Sequence, residues 1–85
     1  MIFAALREAL RTDAPAALAT VIEGPEPGAK LLVRPGHEPL GSLGDADLDR
    51  VVARDAQGEL EAGLTSTRHY GFRGEARQRD VALFI

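Results

Sequence analysis

The chain has 85 residues, 45% hydrophobic and 27% charged, an ordinary globular composition that allows one compact core and leaves no room for a second independent domain. It contains no cysteine, which excludes a disulfide framework and thiolate metal ligation. A net charge of −3 argues against nucleic acid as a partner, since phosphate binding needs a cationic surface.

No apolar run approaches the roughly 20 residues that cross a bilayer, and Glu8 and Asp13 interrupt the start of the chain, unlike a signal peptide. A cytoplasmic location without membrane association is the expectation. Residues 2 to 12 carry Ile2, Phe3, Leu6, Ala9 and Leu10 at steps of three and four, opposite Arg7, Glu8 and Arg11. This spacing predicts an amphipathic helix that ends at Asp13 to Pro15.

Ala16 to Ile22 is an unbroken apolar run of strand length and predicts a central strand buried on both faces. Gly24-Pro25-Glu26-Pro27-Gly28 predicts an exposed loop. Lys30 to Arg34 then predicts a second strand, Pro35 to Glu38 a hairpin turn, and Pro39 to Leu43 a third short strand.

From Asp45 to Ala62, Leu48, Val51, Val52, Ala56 and Leu60 recur at helical spacing, predicting the main helix. Gly58 weakens its last turns by about 1 kcal/mol relative to alanine, and Gly63 stands where a left-handed cap is expected. Thr65 to Phe72 predicts a further strand, Arg73 to Asp80 a polar loop, and Val81 to Ile85 a closing strand. The expected fold class is α+β: a small, mostly antiparallel sheet packed with an N-terminal helix and one main central helix.

The most informative segment is Gly41-Ser42-Leu43-Gly44-Asp45-Ala46-Asp47-Leu48-Asp49. Gly41 and Gly44 bracket a tight strand-to-helix connection, and the free N–H groups at a helix start can bind anions. Asp45, Asp47 and Asp49 crowd the same end, where a carboxylate can cap the helix and repel a phosphate. Two readings of these aspartates are open, a self-capped helix and a divalent-cation site. An EF-hand is excluded, because Arg50 stands where that loop needs glycine and Ala56 where it needs glutamate.

Ser42 is not in a Gly-x-Ser-x-Gly setting, and nothing in the sequence links it to His37 or His69 as a base. Lys30, the only lysine, flanks a strand. In Arg68-His69-Tyr70-Gly71-Phe72-Arg73 the aromatic and basic residues alternate; on a strand Arg68, Tyr70 and Phe72 share one face and His69 and Arg73 the other. No catalytic residue is assigned and no intrinsic cofactor is expected.

The order of these motifs resembles the N-terminal domain of the XdhC/CoxI family: Ala17-Leu18-Ala19-Thr20-Val21, the Pro/Gly loop, Gly28-Ala29-Lys30-Leu31-Leu32-Val33, then Gly41-Ser42-Leu43-Gly44 and the helix. The likeness runs from about Ala16 to Leu60, and Val81 to Ile85 resembles the domain's last strand. The resemblance implies an accessory protein for molybdenum hydroxylases of the xanthine or carbon monoxide dehydrogenase type, helping to deliver or insert molybdenum cofactor. It implies as partners such a hydroxylase or a Rossmann-domain protein, and a possible homo-oligomer.

In the family's turn, Gly-Thr/Ser-Ile/Leu-Gly-Gly-Gly-Cys-Val/Leu-Glu, the glycines and the hydroxyl residue match Gly41, Ser42 and Gly44, which are the implied cofactor-binding residues. Asp45 and Ala46 replace two glycines and Asp47 replaces the cysteine. A carboxylate cannot perform the sulfur chemistry open to a thiol. Asp45, Asp47 and Asp49 remain the candidate metal ligands of the alternative reading, a small-ligand or divalent-cation-binding domain. Residues 1–85 read as a single domain of this type, without the Rossmann-like domain that usually follows it.

Overall fold

The computed structural model describes residues 2–76 and 78–85. Arg77, within the expected polar loop, lies outside the described residues. The elements run α1 (Ile2–Thr12), β1 (Ala17–Glu23), β2 (Lys30–Val33), β3 (Leu40–Ser42), α2 (Ala46–Ala62), β4 (Thr67–Tyr70) and β5 (Val81–Phe84). The strands form one antiparallel sheet in the order β3-β2-β1-β5-β4, so the expected α+β class is observed.

Register explains which residues form the core. Ala19 pairs with Leu31 and Val21 with Leu83, and paired residues share a sheet face. That face carries Ala19, Val21, Leu31, Val33, Val81 and Leu83, packed against Leu48, Val52 and Ala56 of α2. Positions 48, 52 and 56 follow one stripe of the helix, and Val52 and Ala56 have no exposed surface. Closing α2, the Gly63 N–H donates to Leu60 O at 3.2 Å and the Leu64 N–H to Glu59 O at 2.9 Å. Gly58 does not end the helix, which continues to Ala62.

The second sheet face is only partly covered. Leu32, fully buried, alternates with Leu31 and Val33 and so points away from α2; α1 packs over β2 on that side. The expectation of a β1 strand buried on both faces does not hold, since Ile22 is 50% exposed. Leu18 and Thr20, which point away from α2, are half-buried. The pairing of β1 with β5 also shifts register between Val21 and Glu23.

Helix α1 has the expected bounds, but its apolar arc is wider than the surface it covers. Ala9 is buried, whereas Phe3 is 66% and Leu10 75% exposed. The strand expected at 65–72 is confined to Thr67–Tyr70. Its flanks differ: Ser66 still exchanges two backbone hydrogen bonds with Ile85, while Gly71 leaves the ladder and accepts the Gly74 N–H at 3.0 Å in a turn. Phe72 therefore lies beyond the strand and does not continue the Arg68–Tyr70 row.

Candidate functional site

Strand β3 is only three residues long and hands the chain to α2 through residues 43–45. Gly41 has φ of +92° and an added Cβ would fall on the Lys30 carbonyl oxygen and the Ile2 side chain. Only glycine accommodates both that backbone angle and so close an approach. Gly44, at φ +106°, lies against the Glu26 carboxylate, which an added Cβ would meet at 3.2 Å. Both glycines of the turn are therefore fixed by backbone geometry.

The polar groups of the turn satisfy one another. Asp49, one turn into α2, accepts the Leu43 N–H on Oδ1 at 2.7 Å and the Ser42 hydroxyl on Oδ2 at 3.0 Å. Ser42 Oγ in turn accepts the Gly44 N–H at 3.1 Å. Asp45 is the N-cap, extended at φ −145°, and its Oδ1 accepts the Leu48 N–H at 3.0 Å. Each of these bonds removes a donor that an anion would need.

The three aspartates thus do three different things. Asp45 caps, Asp49 ties the turn to the helix, and Asp47 is exposed with Arg50 at 3.9 Å. Residues spaced two apart on a helix point about 200° apart, so the regular Asp-x-Asp-x-Asp spacing does not converge. Among the described residues, no group of three or more His, Cys, Asp and Glu side chains is arranged to hold a metal ion. The structure instead brings together Ser42, Gly44 and Asp49, with Leu43 between them.

Beside the turn is a cleft of about 310 Å³ lined by Val21, Leu43, Leu48, Val81 and Phe72, with Glu26, Gly44 and Asp45 at its polar side. Its floor is apolar and its charged groups are carboxylates. The two histidines are elsewhere: His37 sits in the β2–β3 turn, its N–H donating to Arg34 O at 3.1 Å, and His69 on β4 has Arg79 at 3.3 Å. Neither contacts Ser42 among the described hydrogen bonds.

The model of the XdhC and CoxI family matches residues 9–71. The chain belongs to that family. No curated protein matches it. In this XdhC/CoxI domain the match takes in β1 to β4, the Pro/Gly loop, the turn and α2, while Phe72 of the cleft and β5 of the core lie outside it. XdhC and CoxI proteins are accessory proteins, and an accessory role in general is what the membership establishes.

The family implies molybdenum cofactor, a pterin that carries a phosphate. The turn does not fit that phosphate as it stands. The N–H groups of Leu43, Gly44 and Leu48 and the Ser42 hydroxyl are already engaged by Asp49, Ser42 and Asp45. Glu26 and Asp45 give the adjacent cleft a negative lining, which repels an anion.

A second polar cluster, absent from the sequence reading, joins α2 to β4. Glu59, only 5% exposed, accepts from Ser66 Oγ at 2.8 Å and from Arg68 Nε at 2.9 Å, both on Oε1. Tyr70 donates its hydroxyl to Asp55 at 2.8 Å, and Arg68 lies 3.6 Å from the same carboxylate. The hydrogen bonds from Ser66 and Arg68 hold the Glu59 carboxyl below its usual range. Its own bond to Glu59 raises Arg68, and burial, then the Asp55 bond, pushes the Tyr70 phenol up. The signal was present: Asp55 and Glu59 are spaced i, i+4 on the helix, and Arg68 and Tyr70 share a strand face.

Proposed function

We propose that this domain is a non-catalytic accessory module that docks on a molybdenum hydroxylase of the xanthine or carbon monoxide dehydrogenase type, or on a Rossmann-domain partner, and assists delivery or insertion of molybdenum cofactor. Membership of the XdhC and CoxI family across residues 9–71 carries this reading. The chemistry of the turn supports the non-catalytic part. Ser42 is held by Asp49, a carboxylate with no base behind it, and both histidines are remote. Among the described residues, no acid, base and nucleophile are brought together as a reaction would require.

The satisfied turn supports one form of help over another. With its donors engaged and its cleft carboxylate-lined, this turn does not hold the cofactor's phosphate; assistance comes through contact with the client or with a cofactor-carrying partner. The cleft offers an apolar floor with Phe72 53% exposed at its edge, a surface suited to a protein side chain. The test is pull-down of the purified domain against apo-hydroxylase and against a Rossmann-domain partner, followed by measurement of molybdenum loading with and without the domain. Retention of one partner and increased loading are expected. Absence of binding to both, with unchanged loading, overturns the proposal.

A further inference from the structure

The cleft beside the turn sets two kinds of side chain against each other. Val21, Leu43, Leu48 and Val81 are buried members of the core and give it a fixed apolar floor. Glu26 and Asp45 add two carboxylates on its polar side, and Phe72, 53% exposed, stands at its edge. Both carboxylates are placed by the fold. Asp45 is oriented by its capping bond to the Leu48 N–H, and Glu26 lies against Gly44, whose lack of a Cβ leaves room for the carboxyl group.

Neither carboxylate has a counter-charge among the described residues. The ion pairs lie elsewhere: Arg11 with Glu8, Arg50 with Asp47, and Arg54 and Arg68 with Asp55 and Glu59. Lys30, which follows the Pro/Gly loop, turns its ammonium to Gly28 O. Two like charges beside an apolar floor repel each other and are stabilised by a cation. A divalent metal ion does not match, because the described residues bring no three ligating side chains together and such ions take many oxygen ligands. The lining matches a cation carried on an apolar stem.

We infer that this cleft receives an arginine side chain of the docking partner, with its methylene stem on the apolar floor, its guanidinium against Glu26 and Asp45, and one guanidinium face on the Phe72 ring. The inference rests on the accessory-docking reading and adds to it the chemistry of the residue that is bound. Arginine is favoured over lysine because a planar guanidinium stacks on an aromatic ring and presents a fork of N–H donors to carboxylates, whereas an ammonium is a compact, strongly hydrated charge. A purely apolar side chain would take water from both carboxylates and return no hydrogen bond. Shape favours a protein over a free small cation. The volume of about 310 Å³ is at the lower end for small-ligand pockets, which bury roughly 70–90% of their ligand, and exposed Glu26 and Phe72 leave this cleft open on one side. A side chain projecting from a protein surface closes that side with its own backbone.

The test separates the cleft from the client. N-acetyl-arginine amide is titrated into the isotope-labelled chain and followed by amide chemical shifts, with N-acetyl-citrulline amide, which has the same stem and an uncharged head, as control. Saturable shifts at Leu43, Gly44, Asp45 and Phe72 are expected for arginine, with citrulline weaker by about tenfold or more. Glu26→Gln and Asp45→Asn should each weaken arginine binding by about threefold to tenfold. Asparagine caps a helix as well as aspartate does, so the second variant removes the charge and keeps the fold. Glu61→Gln, at an exposed acid near the far end of α2, should change nothing. Shifts that do not saturate at the cleft, citrulline binding equal to arginine, or a double variant of Glu26 and Asp45 that binds arginine normally overturn the inference. In pull-down, the double variant should lose the client that the wild-type chain retains. Equal retention overturns the inference and leaves the accessory role in place. Arginine binding at the cleft of a chain that retains neither partner does the converse, upholding the arginine site and refuting the accessory reading.

Discussion

Replacing Asp49 by alanine tests whether the turn is held by its own helix. In the folded protein this carboxylate accepts the Leu43 N–H at 2.7 Å and the Ser42 hydroxyl at 3.0 Å, two bonds to a charged acceptor, each worth about 1.5 to 3 kcal/mol where water is excluded. Leu43 is buried and its N–H has no solvent alternative, whereas Ser42 is exposed and recovers water. The first bond therefore carries most of the loss, and the expected destabilisation is about 2 to 3 kcal/mol. In a domain of this size about 1 kcal/mol lowers Tm by roughly 4 to 8 °C, which places the variant roughly 10 to 20 °C below the wild type. Asp49→Asn keeps one acceptor oxygen for Leu43 and should lose about half as much. Urea denaturation followed by far-ultraviolet circular dichroism measures both. An Asp49→Ala variant within 0.5 kcal/mol of wild type, on the scale of ordinary surface changes, refutes the account of the turn as a self-satisfied unit.

Gly41→Ala places a Cβ on the Lys30 carbonyl at a backbone angle that L residues avoid, and should cost about 3 kcal/mol or more from strain and displaced packing; thermal melting reads it directly. Glu59→Gln addresses the acid side of the stability curve. The Glu59 carboxyl is lowered from an ordinary 4.5 by Ser66 and Arg68, so its stabilising effect is complete above that ordinary value and is lost as pH falls through the lower folded one. The variant should accordingly show a flatter loss of stability on acidification below pH 4.5, measured by denaturant midpoints across pH. Tyr70→Phe addresses the alkaline side. Burial and the Asp55 bond raise the phenol from 10.0, so the wild type should lose stability as pH rises above 10 and the variant should lose that slope, at a cost near neutrality of about 1.5 kcal/mol. Ultraviolet titration of the single tyrosine in the folded chain, beginning well above pH 10, checks the same shift independently.

The elements set by local chemistry are the ones a reader of the sequence recovers. The 3.6-residue spacing of Ile2, Leu6 and Ala9 fixes α1, and the stripe of Leu48, Val52 and Ala56 fixes α2, with Asp45 as its cap and Gly63 as its stop. The turn's glycines are legible for a similar reason, since tight connections demand them. What the sequence does not carry is convergence. The three aspartates are evenly spaced along the chain, yet capping, tethering and solvation send them to different places, because the helix begins between the first and the second. The Glu59, Arg68, Asp55 and Tyr70 cluster has the opposite character: its members are separated by a loop and unite only once β4 lies at the sheet edge beside α2.

Burial is the property that sequence reading handles least well in this chain, for a reason visible in α1. Its apolar residues occupy two adjoining stripes, Ile2-Ala5-Ala9 and Phe3-Leu6-Leu10, and a periodicity analysis merges them into one broad hydrophobic face. A single sheet strand can bury only the first stripe. The same excess appears on β1, where Ala19 and Val21 join the core while Ile22 stays 50% exposed. Both segments thus carry apolar surface that the chain itself does not cover, Phe3 and Leu10 on α1 and Ile22 on β1. A surplus arising on one segment alone is commonplace on protein surfaces.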